Sequence, residues 1–274
     1  MAEANGKRFH TRHLIFLLMA IAVVLPLIFK PGLPLRVTKE VQDIYDYIEG
    51  LPEESVVIIS FDHEASSLPE MVPMAEALLR HCFRKNLKVC GMALLAEGTS
   101  VGDANLRRIG AEYNKEYGED YIFWGFRPQH EVAILALGED ITREFKTDYT
   151  GRPISGFPIM QGLRNYQNVA AVISVGDGDI PIYWVNYAQA RYGVNIIPAI
   201  TAVMATTMYP FLQSEQIVGL AAGLKGAAEY EKLLNRTGLA TRGMDAQSTA
   251  HVLIIVLIAI GNIIMFRQRG GKRS

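Results

Sequence analysis

The sequence predicts an α/β protein: one mainly parallel sheet with helices on both faces, carried between a hydrophobic spanning helix near each end. Three observations predict it. Long charge-free apolar stretches lie beside Lys and Arg clusters at both termini. Between them, short runs rich in Val and Ile alternate with longer runs of helical periodicity. The intervening segment, about 200 residues, is long enough for one domain with its own core.

The first apolar stretch is Leu14 to Phe29, LIFLLMAIAVVLPLIF, preceded by Lys7, Arg8 and Arg12 and followed by Lys30. It is longer than the apolar core of a signal peptide, and no small-x-small cleavage pattern follows it, so it reads as a retained anchor. Pro26 lies near its exit end, where a helix tolerates a bend. The second stretch, Ala246 to Phe266, contains no Asp, Glu, Lys or Arg and is followed by Arg267, Arg269, Lys272 and Arg273. A span of about 20 apolar residues crosses the hydrocarbon layer. The basic tails, 1–13 and 267–274, outweigh the domain-side flanks. The positive-inside rule therefore places both termini in the cytoplasm and the domain outside it, in a multi-pass protein of the cell membrane. Within the second span, Gly261 permits close helix approach and Asn262 needs a polar partner, so this pair reads as an interface with the first span or a partner subunit.

Residues 30–54 form a linker with an amphipathic helix over 36–51, in which Val37, Val41, Ile44, Tyr45 and Ile48 share a face. The α/β domain occupies 55–235. Strands are predicted at 55–61 (SVVIISF), 87–95, 121–126, 169–175 (VAAVISV) and 194–200, and helices at 68–86, 103–117, 130–137 and 180–192. The segment 216–234 closes the domain as one helix or as a short strand leading into a helix. Thr147 to Gly156 is the long loop. A third span over 192–214 is disfavoured by Asn195, Pro198, Pro210 and Gln213 inside that charge-free stretch. Alternating strands and helices with right-handed crossovers make the domain a Rossmann-like, doubly wound fold.

Half of the residues are hydrophobic and the net charge is −1, which leaves no basic surface for nucleic acid. Cys82 and Cys90 match neither a zinc nor a redox motif and read as small core residues. No P-loop, GxSxG, HExxH or GxGxxG pattern is present. Asn235-Arg236-Thr237 fits the short glycosylation triplet.

Ligands of open α/β sheets bind at the carboxyl ends of the strands. There the sequence places Asp62 and His63 after the first strand, Arg127 after the third, and Asp177 and Asp179, in Gly-Asp-Gly-Asp, after the fourth. These are the candidate ligand-binding residues. Asp62, Asp177 and Asp179 together would suit Mg²⁺ or Ca²⁺, since hard cations take carboxylates from separate loops; as turn and cap residues they need no ligand. No cofactor is evident in the motifs. The expected function is a non-enzymatic ligand- or partner-binding subunit, anchored in the bilayer within a homo- or hetero-oligomeric membrane complex. The alternative is a membrane-tethered hydrolase built on the acidic loops.

Overall fold

The computed structural model describes residues 11–29 and 31–270. Lys7, Arg8, Lys30, Lys272 and Arg273 of the basic clusters lie outside the described residues, and of Arg267 and Arg269 only the backbone is described. The chain divides into two compact units, Leu35–Ala240 and the two terminal segments up to Pro34 and from Thr241 onward.

The larger unit is built on a six-stranded, all-parallel sheet in the order β3-β2-β1-β4-β5-β6. The strands are β1 (Val56–Asp62), β2 (Lys88–Ala93), β3 (Tyr121–Phe126), β4 (Ala171–Gly176), β5 (Asn195–Ile200) and the short β6 (Ala221–Ala222). β1 and β4 are wholly apolar along most of their length because both faces are covered. On one face lie α3 (Leu68–Arg84), α4 (Gly98–Glu112) and α10 (Gly223–Leu233). On the other, α5 (His130–Glu139), the short α6 (Ile141–Glu144) and the helix over 180–192 pack Ile134, Leu137, Trp184 and Val185 onto Ile58, Met92, Trp124 and Val172. Full burial of side chains of this size contributes roughly 1.5–3 kcal/mol each.

Two elements differ from their predicted form, each for a local reason. α4 starts at Gly98, not 103, because its glycines are used for packing: a Cβ at Gly98 would stand 2.0 Å from the Phe61 carbonyl oxygen. The 180–192 helix is continuous but not uniform. It runs from α7 (Ile180–Tyr183) through a π-helical segment, Trp184–Gln189, into α8 (Ala190–Tyr192), and such widening has no sequence signature. The segment 216–234 resolves into β6 and α10, the second of the two expected forms. The charge-free stretch 192–214 forms β5, a 3₁₀ turn and α9 (Ala205–Gln213).

The linker helix, α2 (Lys39–Gly50), belongs to this unit: Val41, Ile44 and Ile48 are buried in it. Buried His81 of α3 ties it down. Its Nδ1 lies 2.7 Å from the Tyr230 hydroxyl and its Nε2 2.9 Å from Glu49 Oε2. Burial pulls the imidazole down to about 4, so it is neutral, accepting from Tyr230 and donating from Nε2 to Glu49. One stretch of α10 holds both connections to the terminal segments. Fully buried Glu229 accepts the Thr38 N–H at 2.9 Å and its hydroxyl at 2.6 Å. Lys232 donates to the Leu35 carbonyl, and Glu231 accepts the N–H groups of Gly238 and Ala240 at 3.0 Å each.

The smaller unit consists of α1 (Thr11–Phe29) and most of α11 (Leu239–Gly270), the two described helices long and apolar enough to cross a membrane. They run antiparallel. Asp245 accepts the N–H groups of Gly32 and Leu33 at 3.0 and 2.9 Å, and four residues further along α11 the Thr249 hydroxyl meets the Ala22 carbonyl at 2.6 Å. The second contact has a specific cause. Pro26 has no N–H, so the Ala22 carbonyl has no donor within its own helix, and Thr249 supplies one. Pro26 is also the buried residue of α1. Gly261 and Asn262 lie outside this contact: among the described residues nothing comes within 4 Å of a Cβ at Gly261, and Asn262 is exposed.

This pairing predicts a coupled mutant cycle in the detergent-solubilised chain. Thr249→Val should destabilise it by about 0.6–2 kcal/mol. In a Pro26→Ala background, where the helix regains its own donor, the same change should cost much less. Equal losses of melting temperature in both backgrounds would show that the carbonyl is not the point of contact.

Candidate functional site

The strand order reverses between β1 and β4. β2 and β3 extend the sheet to one side of β1, whereas β4, β5 and β6 extend it to the other. Crossovers leaving β1 and β4 go to opposite faces, and a crevice opens at their carboxyl ends. A cavity of about 490 Å³ lies there. Its walls come from the loops after three strands: Glu64, Ser66, Ser67 and Glu70 after β1, Asp177 and Gly178 after β4, and Thr201, Val203 and Met204 after β5.

Asp177 holds the first two loops together. Its Oδ2 accepts the Glu64 N–H at 3.0 Å and the Ser67 hydroxyl, while its own N–H donates to the Asp62 carbonyl at 3.1 Å. Glu70, in the first turn of α3, reaches the third loop, accepting the Ala202 N–H at 2.9 Å. Thr201 is 7% exposed, and its hydroxyl has no partner among the described residues. The crevice is thus lined by three acid side chains, three hydroxyl-bearing side chains and two apolar side chains, with no Lys, Arg or His among the described residues.

The sequence-predicted residues do not all gather there. Asp177 lines the crevice, but Asp62 lies beneath it, facing the sheet side that carries Trp184. Asp62 Oδ1 accepts the Leu94 N–H at 2.6 Å, and Oδ2 has no hydrogen-bond partner. The hydroxyls of Ser60 and Ser174, paired across β1 and β4, and the Trp184 indole N–H are likewise buried without partners among the described residues. Burial raises the Asp62 pKa to about 6. The Ser60 hydroxyl, the Leu94 N–H and the Trp184 N–H pull the other way, although Ser60 and Trp184 fall short of full hydrogen-bond geometry. His63, just past the strand, is 1% exposed, with neither ring nitrogen partnered among the described residues; burial lowers its pKa against the pull of Asp177.

Asp179 is exposed at the head of α7, where its carbonyl accepts the N–H groups of Ile182 and Tyr183. Arg127 lies beyond β2, at the end of edge strand β3. It donates to the carbonyls of Glu144 and Phe126 and stacks over Phe145 at 4.1 Å, so it closes a loop. The Asp62 and Asp177 carboxylates serve different loops, and among the described residues no group of three or more His, Cys, Asp or Glu is placed to hold a metal ion. Sequence reasoning missed Thr201 and Glu70. Thr201 follows β5 as Asp62 ends β1, and the same carboxyl-end rule applied to the fifth strand would have found it. Glu70 carries no such signal.

No protein-family model matches this chain, nor does any curated protein or solved structure.

Asp62 has a measurable signature. Its pKa is raised by folding, so the native state holds a proton that the unfolded chain releases between pH 3.8 and about 6. Its contribution to stability is therefore full below pH 3.8 and is lost as pH rises through 6. Asp62→Asn should equal the parent near pH 3.8 and exceed it above pH 7 by up to about 3 kcal/mol. A constant difference between parent and variant across that range would show that Asp62 does not titrate in this way.

Proposed function

We propose that this chain is a membrane-anchored, Rossmann-like α/β module that binds a ligand in the crevice between β1, β4 and β5, as a non-enzymatic subunit of a membrane complex. The crevice itself carries the reading. A cavity of about 490 Å³ lies where the strand order reverses, within the size range of small-molecule sites. The strand order 3-2-1-4-5-6 supports the Rossmann-like assignment. Against catalysis stands the use of the side chains. Asp177 and Ser67 are engaged with each other and with loop backbone, and His63 is buried and does not line the crevice. The hydrolase alternative draws on Asp62, His63, Asp177 and Asp179, with Mg²⁺ or Ca²⁺ as an optional addition; against it, the Asp62 and Asp177 carboxylates serve separate loops and Asp179 is exposed. Dinucleotides suit the crevice poorly, since the loop after β1, Asp-His-Glu-Ala-Ser-Ser, has no glycine and the rim is acidic.

In the proposed topology both termini are cytoplasmic and the domain lies outside. The antiparallel pairing of α1 and α11 supports ends on one side, as does the departure of both connections from α10. The basic flanks in the sequence choose which side. Gly261 and Asn262, clear of α1, are available to a partner subunit within the bilayer.

Two measurements test this. A reporter active only outside the cytoplasm should work when inserted at Thr150 and fail when fused after Ser274; the reverse pattern overturns the topology. A thermal-shift screen of the purified chain against cationic, anionic and neutral metabolites should give stabilisation without turnover. Hydrolysis of a generic ester or phosphate substrate, lost in Asp177→Asn, would favour the enzyme.

A further inference from the structure

Resting on the membrane-anchored reading above, we propose that the α/β domain sits directly on the headgroup layer of its own bilayer, through an uncharged footprint made by Val203, Tyr209 and Leu239.

Tether length comes first. α11 is one continuous helix from Leu239, and the Glu231 side chain holds the N–H of Ala240. The charge-free stretch begins six residues later at Ala246, about 9 Å further along the helix. On the other connection, Asp245 holds the Leu33 N–H, and Glu229 holds the Thr38 N–H five residues later, at most about 18 Å of chain away. Headgroups occupy roughly 5–8 Å outside the hydrocarbon layer on each side. Tethers this short keep the domain against them.

Exposed apolar side chains then select the face. Among the described residues of the domain, the large apolar side chains left exposed are Val132, Tyr149, Val203, Tyr209 and Leu239. The last three belong to segments at the tethers. Leu239 is the first residue of α11. Tyr209 of α9 lines a groove of about 220 Å³ with Thr38, Lys225 and Glu229, and so does Ala202, the neighbour of Val203. Val203 itself is 82% exposed. Tyr is a residue of membrane–water interfaces, where its ring meets apolar groups and its hydroxyl meets water.

Charge points the same way. A helix that faces water on one side ordinarily carries charged residues there. In α9 only Met208 is buried, yet the helix has no Asp, Glu, Lys or Arg, and neither does the whole stretch 192–214. Two cations line the grooves beside the footprint, Lys225 with Tyr209 and Arg108 with Leu239. They are paired with Glu229 and Glu76. The contact is therefore apolar and dipolar, and it requires no anionic lipid.

The test is depth-resolved quenching of labels on the full chain in nanodiscs of phosphatidylcholine, with and without phosphatidylglycerol. A thiol-reactive fluorophore is placed singly through Val203→Cys, Tyr209→Cys, Leu239→Cys, Val132→Cys and Ile258→Cys. Cys82 and Cys90 are buried and stay unlabelled. All five sites are exposed, so the variants should keep the parent melting temperature. Labels at Val203, Tyr209 and Leu239 should be quenched by a nitroxide on the lipid headgroup. Aqueous iodide should quench them about threefold less than the label at Val132, which lies on α5 across the sheet. Lipid charge should make no difference. A label at Val203 or Tyr209 as open to iodide as that at Val132 would overturn the proposal. Shielding from iodide without nitroxide quenching would also overturn it, because a protein would then be the cover, and so would a requirement for phosphatidylglycerol. In each of these cases, quenching of the Ile258 label by a nitroxide deep in the acyl chains leaves the membrane anchoring intact. Absence of that quenching would overturn both.

Discussion

The parallel pairing of β1 with β4 is the constraint on which the rest of the molecule depends. The pair runs in unbroken register from Val57 opposite Ala171 to Asp62 opposite Gly176. Its last step needs a glycine, because a Cβ at Gly176 would stand 2.9 Å from the Asp62 carbonyl oxygen. With that approach allowed, the Asp177 N–H reaches the same carbonyl and the pairing extends into the loop. Asp177 is thereby delivered to the start of the β1–α3 connection, where its carboxylate caps Glu64 and Ser67. The crevice exists because the sheet grows outward from this pair in both directions.

Beneath the crevice, the same pair buries polar groups that a purely structural sheet would avoid. Ser60 and Ser174 stand side by side, Asp62 follows, and the Trp184 indole comes from the π-helical segment on the adjoining face. An ionised carboxylate in that position, held by one full hydrogen bond, is a net cost to folding. The surrounding apolar contacts of β1 and β4 offset it. No gain in sheet stability accounts for such a cluster beneath the crevice.

α10 links the two ends of the problem. Gly223, at its N-terminus, adopts a positive φ of 62°, and a Cβ there would stand 3.0 Å from Glu70 Oε2 and 2.7 Å from the Ala202 side chain. Two turns later Glu229, Glu231 and Lys232 take hold of both connections to the apolar helices. The small residues of this helix pack it against the domain: Gly226, Ala227 and Ala228 are buried.

By itself, the sequence determined the elements and their class. Hydrophobic periodicity is local, so the runs at Val56–Asp62 and Ala171–Gly176 and the helical spacing from Leu68 announce themselves without knowledge of their neighbours, as do the charge-free stretches ending at Phe29 and Phe266. The carboxyl-end rule also located Asp177. What only the tertiary structure decided was direction and partnership. Asp62 and His63 end the first strand, yet both are buried and neither lines the crevice, and Arg127 is spent on a loop closure at the far edge. Glu70, Thr201 and the Thr249–Ala22 contact join residues far apart in the chain. No local pattern records such pairings, because they arise when the chain packs and a hydrogen-bonding group left without a partner in one segment meets its complement in another.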